Sequence, residues 1–333
     1  MMGKALSRRR SLLALGGLYG ASWILASRVH AQPGLPGKAL RILVGVSAGG
    51  GAEPMARAIA PRLELRTSRR VTVENKANDK NEPAGEYMKK ALAEGSVVAF
   101  LPTTTIAMTP PREIFPFDSR SDLVPLTMAG VFQVALIVPR SANLAIFADY
   151  IAWLKAGPPE RRRLGTSSAD PFLKLYAMMI ARECGVDLEI VPHKASSRLV
   201  AALKEGSVPA GISSIPTLLD HNRDGAMKIL MTSGAKRSTV LRDVPTAVEL
   251  GFPNLELQDW FGFFASSASP PAVAAEWSRL LQPILLEPEV VAQLATLGLD
   301  AAPTTQEDAT TLFKARLKVW AEKAAAFGMK MPE

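Results

Sequence analysis

The sequence predicts an α/β fold of two lobes, and three observations lead there. At 333 residues the chain is too long for one small domain and suits two lobes of ordinary size. Hydrophobic residues make up 48% and charged residues 21%, a balance that fills real cores rather than leaving the chain disordered. The unit of strand, small-residue turn and helix occurs twice, once in each half. Strands alternating with helices imply a mainly parallel sheet covered on both faces.

The first 31 residues read as a secretory leader. Lys4, Arg8, Arg9, Arg10 and Arg28 sit there without one acid, and an apolar run from Leu12 to Ala26 follows the arginines. Val29-His30-Ala31 then puts small residues at the −3 and −1 positions of a cleavage point before Gln32. Ser7-Arg8-Arg9-Arg10-Ser11-Leu12-Leu13 resembles a twin-arginine signal, with Ser11 in place of the usual Phe. Weak hydrophobicity and Arg28 favour that route over the general secretory (Sec) one. The apolar run is too short for a comfortable membrane span, which weighs against an N-terminal anchor.

Beyond the leader, Leu40 to Val46 is a buried strand, Ser47-Ala48-Gly49-Gly50-Gly51 a turn, and Glu53-Pro54 the opening of a helix carrying Met55, Ile59 and Leu63 at helical spacing. Pro61 is expected to bend or shorten that helix. Val71 to Glu74 is a second strand, Asn78 to Pro83 a polar loop, Pro83 to about Glu94 a helix, and Val97 to Leu101 a third strand. The pattern returns with a strand over Arg163 to Thr166, a turn at Ser167-Ser168-Ala169, and a helix capped by Asp170-Pro171. Phe172, Leu175, Tyr176, Met179 and Ile180 form an apolar stripe on that helix. Leu188 to Val191 and Lys228 to Met231 are further strands, with a helix over Ser197 to Lys204 between them. Trp260 to Phe264 is a core strand with Trp260 a candidate for a cleft wall. Two helices, near 271–286 and 306–327, end the chain.

The formal charge of +8 invites a nucleic-acid reading. Five of the 39 basic residues belong to the leader, however, leaving 34 against 31 acids, or about +3. Nucleic acid is therefore not an expected partner. The densest later basic run, Arg161-Arg162-Arg163, follows Gly157-Pro158-Pro159 and reads as a solvated loop. Cys184 is the one cysteine, so no internal disulfide forms and a buried, inert thiol is expected. With three histidines, His30 among them in the leader, no metal site is expected. His193 and His221 are poor candidates for a general base, and no nucleophile elbow is present, so enzyme chemistry is not expected.

Two turns could take an anion. In Ser47 to Gly51 small residues let backbone N–H groups approach a ligand, and a helix N-terminus adds favourable polarity. Ser167-Ser168-Ala169-Asp170 offers the same with added hydroxyls. A tight turn with no ligand fits the glycine run equally well. Neither turn has nucleotide-motif spacing, and no cofactor is implied.

In order along the chain, Leu-Arg-Ile-Leu-Val at 40–44, Gly-Gly-Gly-Ala-Glu-Pro-Met-Ala-Arg at 49–57, Val-Glu-Asn at 73–75, Gly-Thr-Ser-Ser at 165–168 and Val-Pro-His-Lys at 191–194 resemble the Bug, or tripartite tricarboxylate transporter receptor, family. Thr-Ser-Gly-Ala-Lys-Arg-Ser at 232–238, Asp-Val-Pro-Thr at 243–246, Glu-Leu-Gly at 249–251 and Trp-Phe-Gly at 260–262 continue the match. The resemblance implies a periplasmic solute-binding protein of type II-like architecture, with a hinge and an interlobe cleft. It would deliver a small carboxylate or related solute to a membrane permease pair. The implied lobes are 33–135 plus 256–333, and 136–255. The implied ligand-binding set is Ser47, Gly49, Gly50, Gly51, Glu53, Thr103, Thr104, Ser167, Ser168 and Asp170. The chain departs from the family pattern at Glu53, where Asp is usual, in the glycine-free stretch Lys76 to Pro83, and at Pro209, where Asp is common. Those departures motivate an alternative, a degenerate receptor working as a periplasmic sensor or adaptor through protein contacts.

Overall fold

The structure, a computed structural model, describes residues 34–44, 52–75, 84–107, 121–167 and 171–329. The expected leader and the expected polar loop at 78–83 lie outside the described residues. In chain order come β1 (Leu40–Val44), α1 (Ala52–Thr67), β2 (Val71–Asn75), α2 (Ala84–Ala93), β3 (Val97–Pro102) and the short α3 (Thr103–Ala107). Then follow β4 (Leu123–Pro139), α4 (Phe147–Ala156), β5 (Arg163–Thr166), α5 (Pro171–Cys184), β6 (Glu189–Pro192), α6 (Ser196–Glu205), β7 (Ala210–Ser214), α7 (Ile215–Arg223) and β8 (Met227–Thr232). β9 (Gln258–Ser266), α8 (Pro271–Leu285), α9 (Pro288–Thr296), β10 (Asp300–Ala301) and α10 (Gln306–Ala326) complete the strands and α-helices of the described residues.

The strands run in the order β2-β1-β3-β9-β4-β7-β5-β6, with β8 and β10 also paired to β4. β1 is parallel to β2 and β3, and β5 is parallel to β6 and β7. These are the pairs that the strand–helix alternation predicts. The centre departs from the mainly parallel expectation: β3–β9, β9–β4, β4–β7, β4–β8 and β4–β10 are all antiparallel. The reason is β4 and β9, which thread between the parallel sets in the opposite direction. Their continuous apolar runs carry no period that reveals direction.

β4 is the strand that makes two halves out of one sheet. From Leu123 to Gln133 it pairs with β9, and from Val134 onward it pairs with β7 and β8. The chain returns to the first half through Leu257 and Gln258, the latter opposite Gln133. One residue ties both crossings together. The Ser233 amide donates to the Val134 carbonyl (2.9 Å), and its hydroxyl accepts from the Val134 amide (2.9 Å) and donates to the Leu257 carbonyl. The Ser233 carbonyl in turn accepts from the Leu257 amide (2.8 Å).

The largest core cluster runs from Leu40 and Ile59 through Leu136, Leu175 and Ile212 to Trp320, so apolar burial is continuous across both halves. Along β9, Phe261 and Phe263 join this cluster, whereas Trp260 and Phe264 face a second one with Leu101 and Phe313. That alternation is the period-two pattern of a strand buried on both faces. Trp277, fully buried on α8, donates its indole N–H to the Gly95 carbonyl (2.9 Å). Gly95 has φ of +72°, where a side chain would be strained.

Two element expectations change. α1 is not shortened by Pro61 but continues to Thr67. Pro61 is exposed, so the carbonyl it leaves without a helical donor can be served by water. The C-terminal region holds three helices rather than two, because Pro288 opens α9 directly after α8. No helix among the described residues is long and apolar enough to cross a membrane.

Candidate functional site

The two long helices that the sequence marks for anion binding each follow the C-terminal end of a strand with parallel neighbours. α1 comes after β1, and α5 comes after β5. In open parallel sheets that end of the strands is where ligands gather. Ser47, Gly49, Gly50 and Gly51 before α1, and Ser168 and Asp170 before α5, lie outside the described residues. Glu53, Thr103, Thr104 and Ser167 are described.

Glu53 sits in the first turn of α1 with its carboxylate turned along its own helix. Its Oε1 accepts from the Arg57 Nε (3.0 Å) and Nη2 (2.8 Å), a helical i,i+4 pair. Ser167 accepts from the hydroxyl of buried Ser213 (2.7 Å), which joins the end of β5 to the end of β7. His193, at the end of β6, is a hydrogen-bonded residue: its amide donates to the Thr166 carbonyl (2.9 Å), and Nδ1 lies 3.3 Å from the same oxygen. Pro209 immediately precedes β7, whose first residue Ala210 lies opposite Leu164, at the end of the sheet away from Ser167. That departure from the family pattern is therefore remote from the candidate loops.

Thr103 and Thr104 are both fully buried, and their hydroxyls donate to the carboxylate of Asp259. The same carboxylate accepts from the Thr104 amide (3.2 Å) and the Trp260 amide (2.8 Å). Asp259 is fully buried, and loss of water pushes its pKa up to about 6, against the opposing pull of four hydrogen bonds. Sequence reasoning passed over this residue.

An aromatic chain joins the two halves beside these groups. Phe100 of β3 stacks on Phe261 of β9 (centroids 5.0 Å), Phe261 meets Phe132 of β4 (5.0 Å), and Phe132 meets Phe172 in the first turn of α5 edge-on (6.1 Å). Phe172 in turn touches Trp320 of α10 (5.1 Å). The start of the second-half helix is thus linked to the strand that leads to Thr103 through two intervening rings, Phe132 of β4 and Phe261 of β9. An open groove of about 530 Å³ between α1 and the outer edge strand β2, lined by Arg57, Pro61, Glu64, Arg70 and Thr72, contains none of the candidate residues. No cluster of three potential metal ligands exists among the described residues.

A two-lobed α/β protein, with a shared antiparallel hinge strand and a helix rising from each parallel set, has the architecture of a periplasmic solute-binding protein. The family model for the tripartite tricarboxylate transporter family receptor matches residues 55–327, and the chain belongs to that family. Protein BugT of Bordetella pertussis is 26% identical over 96% of this chain and 98% of its own. Among solved structures, Rpa4515 of R. palustris with adipate superposes with a TM-score of 0.78 at 22% identity, covering 90% of this chain and 99% of the other. MatC (Rpa3494) from Rhodopseudomonas palustris with bound malate gives a TM-score of 0.71 at 18% identity, covering 86% and 99%. The chain is a solute-binding receptor, not an enzyme.

Proposed function

We propose that this receptor is exported by its leader and captures a small carboxylate between its lobes for delivery to a membrane permease pair of the tripartite tricarboxylate type. The observation that carries the reading is the placement of α1 and α5 after the C-terminal ends of β1 and β5, with an aromatic chain linking β3 to the first turn of α5. Backbone N–H groups at two helix N-termini suit an anionic ligand, each terminus contributing roughly half a positive charge. The adipate and malate held by two structural relatives support a dicarboxylate in particular. The proposed site comprises Ser47, Gly49, Gly50, Gly51, Glu53, Thr103 and Thr104 from the first lobe, and Ser167, Ser168 and Asp170 from the second.

The lobes in this reading are 33–135 plus 256–333, and 136–255, with the hinge at the two crossings clasped by Ser233. Closure of one lobe on the other traps the solute, and the closed form is what a permease recognises. Export through a twin-arginine or Sec signal puts the receptor in the periplasm. The test is a stability screen of the mature chain with malate, adipate and related acids. A ligand at a hundredfold excess over its Kd raises stability by about 2.7 kcal/mol. No shift with any carboxylate contradicts the proposal.

A further inference from the structure

Asp259 stands out among buried ionisable groups because, among the described residues, nothing of opposite charge accompanies it. The elements packed on β9 are β3, β4, α3 and α2. β3, β4 and α3 carry no ionisable residue, and β9 carries none but Asp259. On α2, Lys89 pairs with Asp122, and neither it nor Lys90 shifts Asp259. α10, packed on α3 and β4, bears Lys314, Arg316, Lys318 and Lys323, and none of these acts on Asp259 either. Among the described residues the carboxylate is held by hydrogen bonds alone.

Its position matters as much as its charge. Asp259 lies opposite Phe132, one residue from the Gln133–Gln258 pair where the chain crosses between halves. Three of its four donors belong to Thr103 and Thr104, directly after β3. β1, whose end leads into the first-lobe loop, runs level with β3, Val44 being opposite Phe100.

We propose that Asp259 is a specificity-determining residue that tunes the affinity of this receptor for anionic solutes. As a carboxylate it keeps a negative charge beside Thr103 and Thr104, with no cation paired to it among the described residues, and holds both threonine hydroxyl hydrogens on itself. As a neutral acid it removes that charge and donates its own proton to one threonine oxygen, whose hydroxyl hydrogen is then free to turn elsewhere. Both changes favour an anion, so capture strengthens as Asp259 takes up a proton. The inference rests on the proposed site including Thr103 and Thr104.

The sign of the stability effect is fixed by linkage. Burial raises the folded-state pKa to about 6 from the 3.8 of a free aspartate, so the folded protein binds this proton more tightly than the unfolded chain. The stabilising contribution of the proton is complete below about pH 4 and is lost as pH rises through about 6.

The experiment compares the mature protein with Asp259→Asn at pH 5.5 and 7.5. Urea unfolding without ligand reads the first half: the stability of the native protein relative to the variant rises on acidification. Calorimetry with malate and adipate reads the second. The variant binds on the order of tenfold more tightly at pH 7.5, the effect of one partly screened charge, and the ratio closes towards one at pH 5.5. Comparing two proteins at each pH cancels the titration of the ligand itself. Thr104→Val, which keeps the charge and removes one hydroxyl, retains part of the pH response and guards against misfolding of the first variant. An affinity ratio that is the same at both pH values overturns the inference, as does a stability difference that does not move with pH. If neither acid binds either protein, the carboxylate reading of the site fails, and the unfolding profile alone then decides whether Asp259 titrates as proposed.

Discussion

Cys184 shows how completely burial can silence a reactive group. The thiol is fully buried at the end of α5, and loss of water pushes its pKa up to about 11, so at neutral pH it is neither an anion nor accessible. A thiol reagent at pH 8 should leave the native protein unmodified and titrate one thiol in urea; modification of the native state at the unfolded rate would contradict the assigned burial. The sequence alone supports this inert reading, because one cysteine on an apolar helix has no partner to react with. Asp259 is the opposite case. Its partners lie 155 and 156 positions away in the chain, so no local pattern announces it. Thr103 and Thr104 enter the site through the family resemblance, and their hydroxyls donate to that buried carboxylate.

At the scale of elements, the hinge is held by few atoms. Ser233→Ala removes a hydroxyl that serves both the Val134 amide and the Leu257 carbonyl, leaving two buried backbone groups short of a partner. The expected cost is about 1–3 kcal/mol by urea unfolding. A change below a few tenths would show that the clasp is replaced by water. Gly130 permits a second close approach: a Cβ there would come within 2.5 Å of the Asp300 carbonyl across the β4–β10 pair. Gly130→Ala should cost about 1–3 kcal/mol, since the obstacle is backbone and cannot rotate away. The short elements of β1 to β3 and of β5 to α6 were legible because helical period and turn residues bracket each one. β4 was not. Its 17 residues are apolar almost throughout, and its role depends on two different sets of partners reached only in three dimensions. α7, α9 and β7 escaped for the related reason that short apolar pieces look alike until packing assigns them.

For the whole molecule, two lobes were legible from the repeated strand–turn–helix unit, and the family match over residues 55–327 confirms the class of protein. The antiparallel centre of the sheet was not legible, and neither is the ligand. Recognition at helix N-termini uses backbone N–H groups and bridging waters, which every sequence shares. The central claim is that an anionic solute sits where α1 and α5 begin. The most direct test is a crystal structure of the mature protein grown with the acid that most raises its stability. The account predicts ligand density contacted by the chain around Gly50 and around Ser168, with the two lobes closed on it. Density confined to the groove along β2, or none at the starts of the two helices, would contradict it.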